Sequence, residues 1–79
     1  MRRSGVNSSS IASIGYDSKR RELEIEFRLS GDVYRYFDVP VEEFVEFMAA
    51  ESKGSYLNQR FKARPYFYVL VRKGRRRSE

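Results

Sequence analysis

Cysteine and histidine are both missing from this chain. Without cysteine there is no disulfide to brace a small core and no thiolate to hold a metal. Without histidine, the Cys/His zinc sites, the His-based triads and imidazole acid–base chemistry are excluded. Long apolar runs are missing too. The longest, Tyr66 to Val71, is six residues, against the roughly 20 that span a bilayer. The N-terminal Met1-Arg2-Arg3-Ser4-Gly5 lacks the apolar stretch of a signal peptide, so the expected setting is cytoplasmic, in a protein of bacterial or phage style with no membrane contact.

The chain has 79 residues, 41% of them apolar and 15% aromatic. That composition fits one globular domain near the small end of what folds unaided. Its charge is unevenly spread. Residues 1–51 hold seven basic and ten acidic side chains and residues 52–79 nine basic and one acidic, so charges of −3 and +8 make up the net +5. A cationic third attached to a mildly acidic remainder points to a polyanionic partner, and says nothing about fold.

Residues 1–8 are polar and read as a loose tail. Ser9 to Asp17 reads as a first strand in which Gly15 marks either a bulge or a close backbone approach. Ser18-Lys19-Arg20-Arg21 is a polar turn. Glu22 to Leu29 then alternates, with Leu23, Ile25, Phe27 and Leu29 on one face and Glu24, Glu26 and Arg28 on a wet one. Ser30-Gly31-Asp32 has hairpin chemistry, and Val33 to Val39 is the third strand. Pro40 is suited to open a helix, with Glu42 and Glu43 near its positive end. Val41, Phe44, Val45 and Met48 follow at i, i+3, i+4 and i+7 as an apolar stripe. That helix is expected to stop near Glu51 to Lys53, ahead of Gly54. A second short helix, capped by Ser55, carries Leu57 and Phe61 and ends at Pro65.

These readings add up to an α+β domain over residues 9–71. A three-stranded antiparallel meander is packed by one main helix and a short second helix, with an extra C-terminal strand at Tyr66–Val71 and a basic tail over 72–79. The expected core is Ile14, Leu23, Ile25, Phe27, Leu29, Tyr36, Phe44, Val45, Met48, Leu57 and Phe61.

Three features bear on function. Tyr34 and Tyr36 are two apart, so on a strand they share a face about 7 Å apart, with Arg35 opposite. Exposed, such a pair offers a platform for stacking bases. Turned inward, it contributes core aromatics, and the desolvation cost of burying Arg35 without a partner favours this orientation. The second feature is the basic set Lys53, Arg60, Lys62 and Arg64, either a phosphate-binding patch or a solvated face balanced by Glu42, Glu43, Glu46 and Glu51. The third is the run Arg72, Lys73, Arg75, Arg76 and Arg77, which suits salt-sensitive attraction to nucleic acid without sequence preference. No glycine-rich phosphate loop, nucleophile–base pair or metal-ligand spacing is present. The acidic residues Glu24, Glu26, Glu42 and Glu43 fall on faces expected to be wet. Catalysis and a cofactor are therefore not expected.

Read in order, Ser9-Ser10-Ile11, Ile14-Gly15-Tyr16-Asp17, Tyr34-Arg35-Tyr36, Val39-Pro40 and Ser52-x-Gly54-x-Tyr56-x-Asn58 resemble the KTSC family. These are short domains found alone in bacterial and phage proteins and appended to some lysyl-tRNA synthetases. The likeness spans about Asn7 to Tyr66 and implies a domain without an established biochemical activity, for which RNA binding has been suggested. Within that block Tyr34, Tyr36, Pro40, Gly54 and Asn58 are expected to act structurally. The implied role is a small non-catalytic module that binds RNA or single-stranded nucleic acid. The alternative is a protein–protein module acting on a larger host complex, or self-associating through residues 66–71 as an open strand edge.

Overall fold

In the computed structural model, which describes residues 1–74, the sheet has five strands: the three of the expected meander, the extra C-terminal strand, which starts at Tyr68 rather than Tyr66, and a further short strand near the N-terminus. They are β1 (Ser4–Gly5), β2 (Ile11–Asp17), β3 (Glu22–Phe27), β4 (Val33–Tyr36) and β5 (Tyr68–Arg72). All neighbours are antiparallel and the spatial order is the chain order, a plain meander. The segment read as a loose tail supplies β1, whose Ser4 and Gly5 pair with Ile14 and Ser13. Arg72, assigned to the basic tail, closes β5. Arg75, Arg76 and Arg77 lie outside the described residues.

The register sorts side chains onto two faces. On the inner face Ile14, Ile25, Tyr34 and Leu70 form one row across the sheet, and Tyr16, Leu23, Tyr36 and Tyr68 another. On the outer face Glu24 lies beside Arg35 and Glu26 beside Val33. Tyr34 and Tyr36 therefore face inward, and Arg35 has an acidic partner on the opposite side.

β3 ends two residues earlier than its alternation implies. Gly31 (φ 77°) closes a turn in which its N–H donates to the Phe27 carbonyl at 2.8 Å. Leu29, expected in the core, sits on that turn and is 85% exposed. β4 is also cut short, because Asp38 takes a left-handed conformation (φ 59°) that turns Val39 into the core. In β2 the irregularity falls between Ile11 and Ser13, and Gly15 marks the close backbone approach instead, since a Cβ there would lie 2.6 Å from the Arg2 carbonyl oxygen.

Helix α1 (Val41–Ala49) follows Pro40 and is rolled relative to the apolar stripe. Val41 and Val45 are exposed, while Phe47 and Glu43 are buried and Phe44 and Met48 half-buried. α1 ends at Ala49, short of Glu51. Helix α2 (Lys53–Tyr56) begins at Gly54's own first turn and runs into a π-helical turn, Leu57–Phe61. Its cap is Ser52, whose hydroxyl accepts from the Ser55 N–H at 3.2 Å; Ser55 itself is inside. Gly54 thus does not stop the first helix. A Cβ there would lie 2.9 Å from the Ser10 hydroxyl oxygen, so glycine is what lets α2 press on the chain entering β2.

The buried cluster is Ile11, Ile14, Leu23, Ile25, Val39, Phe47 and Phe61. Ile11, Val39 and Phe47 were not among the expected core residues, and Val45 belongs on the surface. Val33 is buried as well, on the other face of the sheet. Among the described residues no helix is long and apolar enough to cross a membrane.

Candidate functional site

The helices cover Ile14, Leu23 and Ile25 but leave the β4–β5 end of the inner face open. There the sheet aromatics meet those of the second helix across a groove of about 640 Å³. Its floor is Phe27, Tyr34, Tyr36 and Tyr68; its far wall is Leu57, Phe61 and Tyr66. The rings support one another. Tyr36 meets Phe61 edge-on at 5.4 Å, and Tyr34 meets Phe27 at 5.8 Å and Tyr68 at 5.5 Å. Edge-to-face packing at such spacings is the preferred aromatic geometry and holds the rings in place before any ligand arrives. Burial, with Tyr68 and Tyr34 close by, pushes the Tyr36 hydroxyl up to about 12. It stays protonated at neutral pH and can donate a hydrogen bond.

The groove gathers six of the sixteen residues quoted for the family resemblance. Ser10, Ile11, Tyr34, Tyr36, Gly54 and Asn58 all line it, far apart in sequence. Pro40 does not, since it borders a separate cleft beside α1. The sequence did not single out Phe27, and it marked Tyr66 and Tyr68 only as part of a strand edge over 66–71, not as lining this groove; the aromatic run after Pro65 was the available signal.

Among the described residues the cations do not converge. Lys62 lines the groove. Lys53 donates to the Ala50 carbonyl at 3.3 Å. Arg60 pairs with Glu46 at 3.0 Å and lies 5.0 Å from the centre of the Tyr56 ring. Arg64 shares a cleft with Glu42, Glu43 and Glu46. Around Arg60 and Arg64 this is a basic face balanced by the acidic residues of α1. Arg72 reaches Glu26 at 3.5 Å on the outer face, across the sheet from the groove, and Lys73 is exposed.

Two carboxylates expected to be solvated are buried instead, and both are supported. Glu24 accepts from Arg35 at 2.6 Å and from Arg3 at 3.1 Å. Glu43 accepts from the Tyr66 hydroxyl at 2.7 Å and from that of Tyr56, which fixes α1 against the groove wall. Burial alone would raise both carboxyls. The two guanidiniums at Glu24, and at Glu43 the two phenols together with the charges of Arg60 and Arg64, outweigh it and hold each below its ordinary value of 4.5. A folded-state pKa below the unfolded one adds stability above the unfolded value, and this is lost as pH falls through the folded value. The melting temperature is therefore expected to stay level from neutral pH to about 5 and to drop below roughly 4.5. Glu43→Gln should make that acid limb shallower in thermal melts by circular dichroism. An acid limb identical to that of the parent would remove Glu43 from the account.

Among the described residues no group of three or more His, Cys, Asp or Glu could hold a metal. The KTSC domain family model matches residues 7–66. An uncharacterized protein of Stutzerimonas stutzeri is 44% identical over 71 residues, which covers 90% of this chain and 99% of that protein. A protein of Tsukamurella paurometabola is 42% identical over 67% of this chain and 78% of its own length. The crystal structure of a KTSC domain protein from Yersinia pestis superposes with a TM-score of 0.82 at 39% identity, covering 90% of this chain and 97% of that one.

Proposed function

The chain belongs to the KTSC domain family, and on that premise we propose that it is a non-catalytic module holding RNA or other single-stranded nucleic acid in the aromatic groove. The observation that carries this reading is the groove floor. Tyr34, Tyr36 and Tyr68 lie side by side on one sheet face, where unstacked bases can lie on or between rings, with Lys62 at hand for a phosphate. Asn58 on the same rim adds an amide that can hydrogen-bond a base edge. The cationic C-terminal third supplies long-range attraction. Unlike the initial expectation, this reading puts stacking first and leaves Lys53, Arg60 and Arg64 with only a general electrostatic part.

Anisotropy titrations of labelled RNA and DNA oligomers at several salt concentrations test it. Tyr34→Ala is expected to weaken binding roughly 5- to 150-fold, as the loss of about 1–3 kcal/mol of base stacking implies. Lys62→Gln should flatten the salt dependence by about one phosphate contact. No binding at low salt, or binding indifferent to Tyr34, would sink the groove as a nucleic-acid site.

A further inference from the structure

β5 is the last strand of the sheet among the described residues, and its outer edge has no strand beside it. Phe67 to Val71 are all apolar or aromatic and all between 39% and 71% exposed. An edge this apolar in a small domain is an unprotected pairing site.

The hydrogen-bond pattern shows which backbone groups are open. The Phe37 N–H donates to the Phe67 carbonyl at 2.9 Å. In an antiparallel ladder such pairs alternate, so Phe67 and Val69 turn their backbone groups toward β4 while Tyr68 and Leu70 turn theirs outward. The outward stretch is bounded. Tyr34 faces Leu70 but Val33 faces Arg72, so Val71 is an extra residue in β5. Such a bulge bends the strand and ends regular pairing.

We propose that β5 pairs edge to edge, antiparallel, with β5 of a second copy of this chain, about a two-fold axis at Val69. In that register Tyr68 of each copy exchanges backbone hydrogen bonds with Leu70 of the other, which uses the open groups and stops at the bulge. Val69 faces Val69, Tyr68 faces Leu70 and Phe67 faces Val71, apolar against apolar throughout. Arg72 and Lys73 fall past the pair, opposite Tyr66 and Pro65, so no cation faces a cation despite the net charge of +5. A register centred on Leu70 instead would place Arg72 opposite Tyr68 and require pairing through the bulge. That self-complementarity is why the occupant is a second copy rather than a foreign strand. The inner-face rows would continue across the axis, bringing the two aromatic grooves side by side through Tyr68 and Leu70.

Sedimentation velocity of the full chain, without nucleic acid, should show the 9.4 kDa monomer giving way to a species of twice that mass between low micromolar and near-millimolar concentration. Val69→Glu should hold the protein monomeric throughout. It places like charges opposite each other at the axis, while within one copy residue 69 lies beside Arg35, so the fold by circular dichroism should be kept. The chain has no cysteine of its own, which allows a register test. Val69→Cys should oxidise to a disulfide-linked dimer, since directly opposed residues of a non-hydrogen-bonded pair have Cα atoms about 4.5 Å apart, within the roughly 4.4–6.8 Å that a disulfide spans. Leu70→Cys should link at least tenfold more slowly. A monomer at every concentration, a dimer unaffected by Val69→Glu, or equal linking at 69 and 70 would overturn the proposal.

Discussion

Phe47→Ala is expected to cost about 3–5 kcal/mol of folding stability, the usual loss for truncating a buried phenylalanine. Phe47 is fully buried, with its ring 5.5 Å from that of Tyr56 and 5.8 Å from that of Phe61. It thus joins α1 to the π-helical turn that forms the far wall of the groove. A domain of this size has only about 4–12 kcal/mol in all, so the variant should be partly unfolded at room temperature. Urea denaturation measures this, with Val45→Ala as the comparator. Val45 is 58% exposed, and its truncation should cost no more than about 0.5 kcal/mol. Equal losses at the two positions would mean that α1 is rolled as its apolar stripe implies, with Val45 inward.

Glu24→Ala is expected to cost about 2–3 kcal/mol, because it leaves two arginines facing a vacated, poorly hydrated site. The figure sits below the roughly 3–5 kcal/mol of a fully buried pair because the Arg35 and Arg3 side chains keep 32% and 22% of their exposure. The carboxylate also ties three strands together. Arg3 leads into β1, Glu24 is in β3 and Arg35 in β4, and Ser13 of β2 accepts from Arg3 while donating to Glu26. Hydrogen exchange should therefore show β1 and the start of β2 losing protection first. Combining Glu24→Leu with Arg35→Met should recover much of the loss, since an apolar pair of similar volume carries no desolvation cost. If the double variant is as unstable as Glu24→Ala, the loss comes from packing or from Arg3, which keeps Ser13 but not its carboxylate, rather than from the charge of Arg35.

Local chemistry predicted the elements well where burial on one face was the only demand. The alternation of Leu23 and Ile25 with Glu24 and Glu26 marks a strand wherever it is met, and Leu57 with Phe61 ahead of Pro65 marks a short helix. The inward orientation of Tyr34 and Tyr36 also followed from local reasoning, through the cost of burying Arg35 without a partner. Arg35 in fact has Glu24 as its partner, so the direction was right while the penalty invoked for it is largely cancelled. The roll of α1 was not legible. Counting apolar positions favours Val41 and Val45 over Glu43, and burial of Glu43 makes sense only once Tyr56 and Tyr66, supplied by later segments, bring their hydroxyls to it. The groove was equally hidden. Its floor needs Phe27, Tyr34 and Tyr68 from three strands, and no local pattern records which segment lies beside which.

What the sequence determined by itself was the α+β class, the family, the exclusion of Cys- and His-based chemistry and the concentration of positive charge after Lys53. All of these depend on composition, order and near-neighbour spacing. The tertiary structure decided which charges are free and which are paired. Among the described residues it pairs Arg60 with Glu46 and Arg72 with Glu26 and sets Arg64 in a cleft beside Glu42, Glu43 and Glu46, and of the described cations Lys62 alone lines the groove. It also decided that the open end of the sheet is aromatic, since two short helices are long enough to cover three strands but not five.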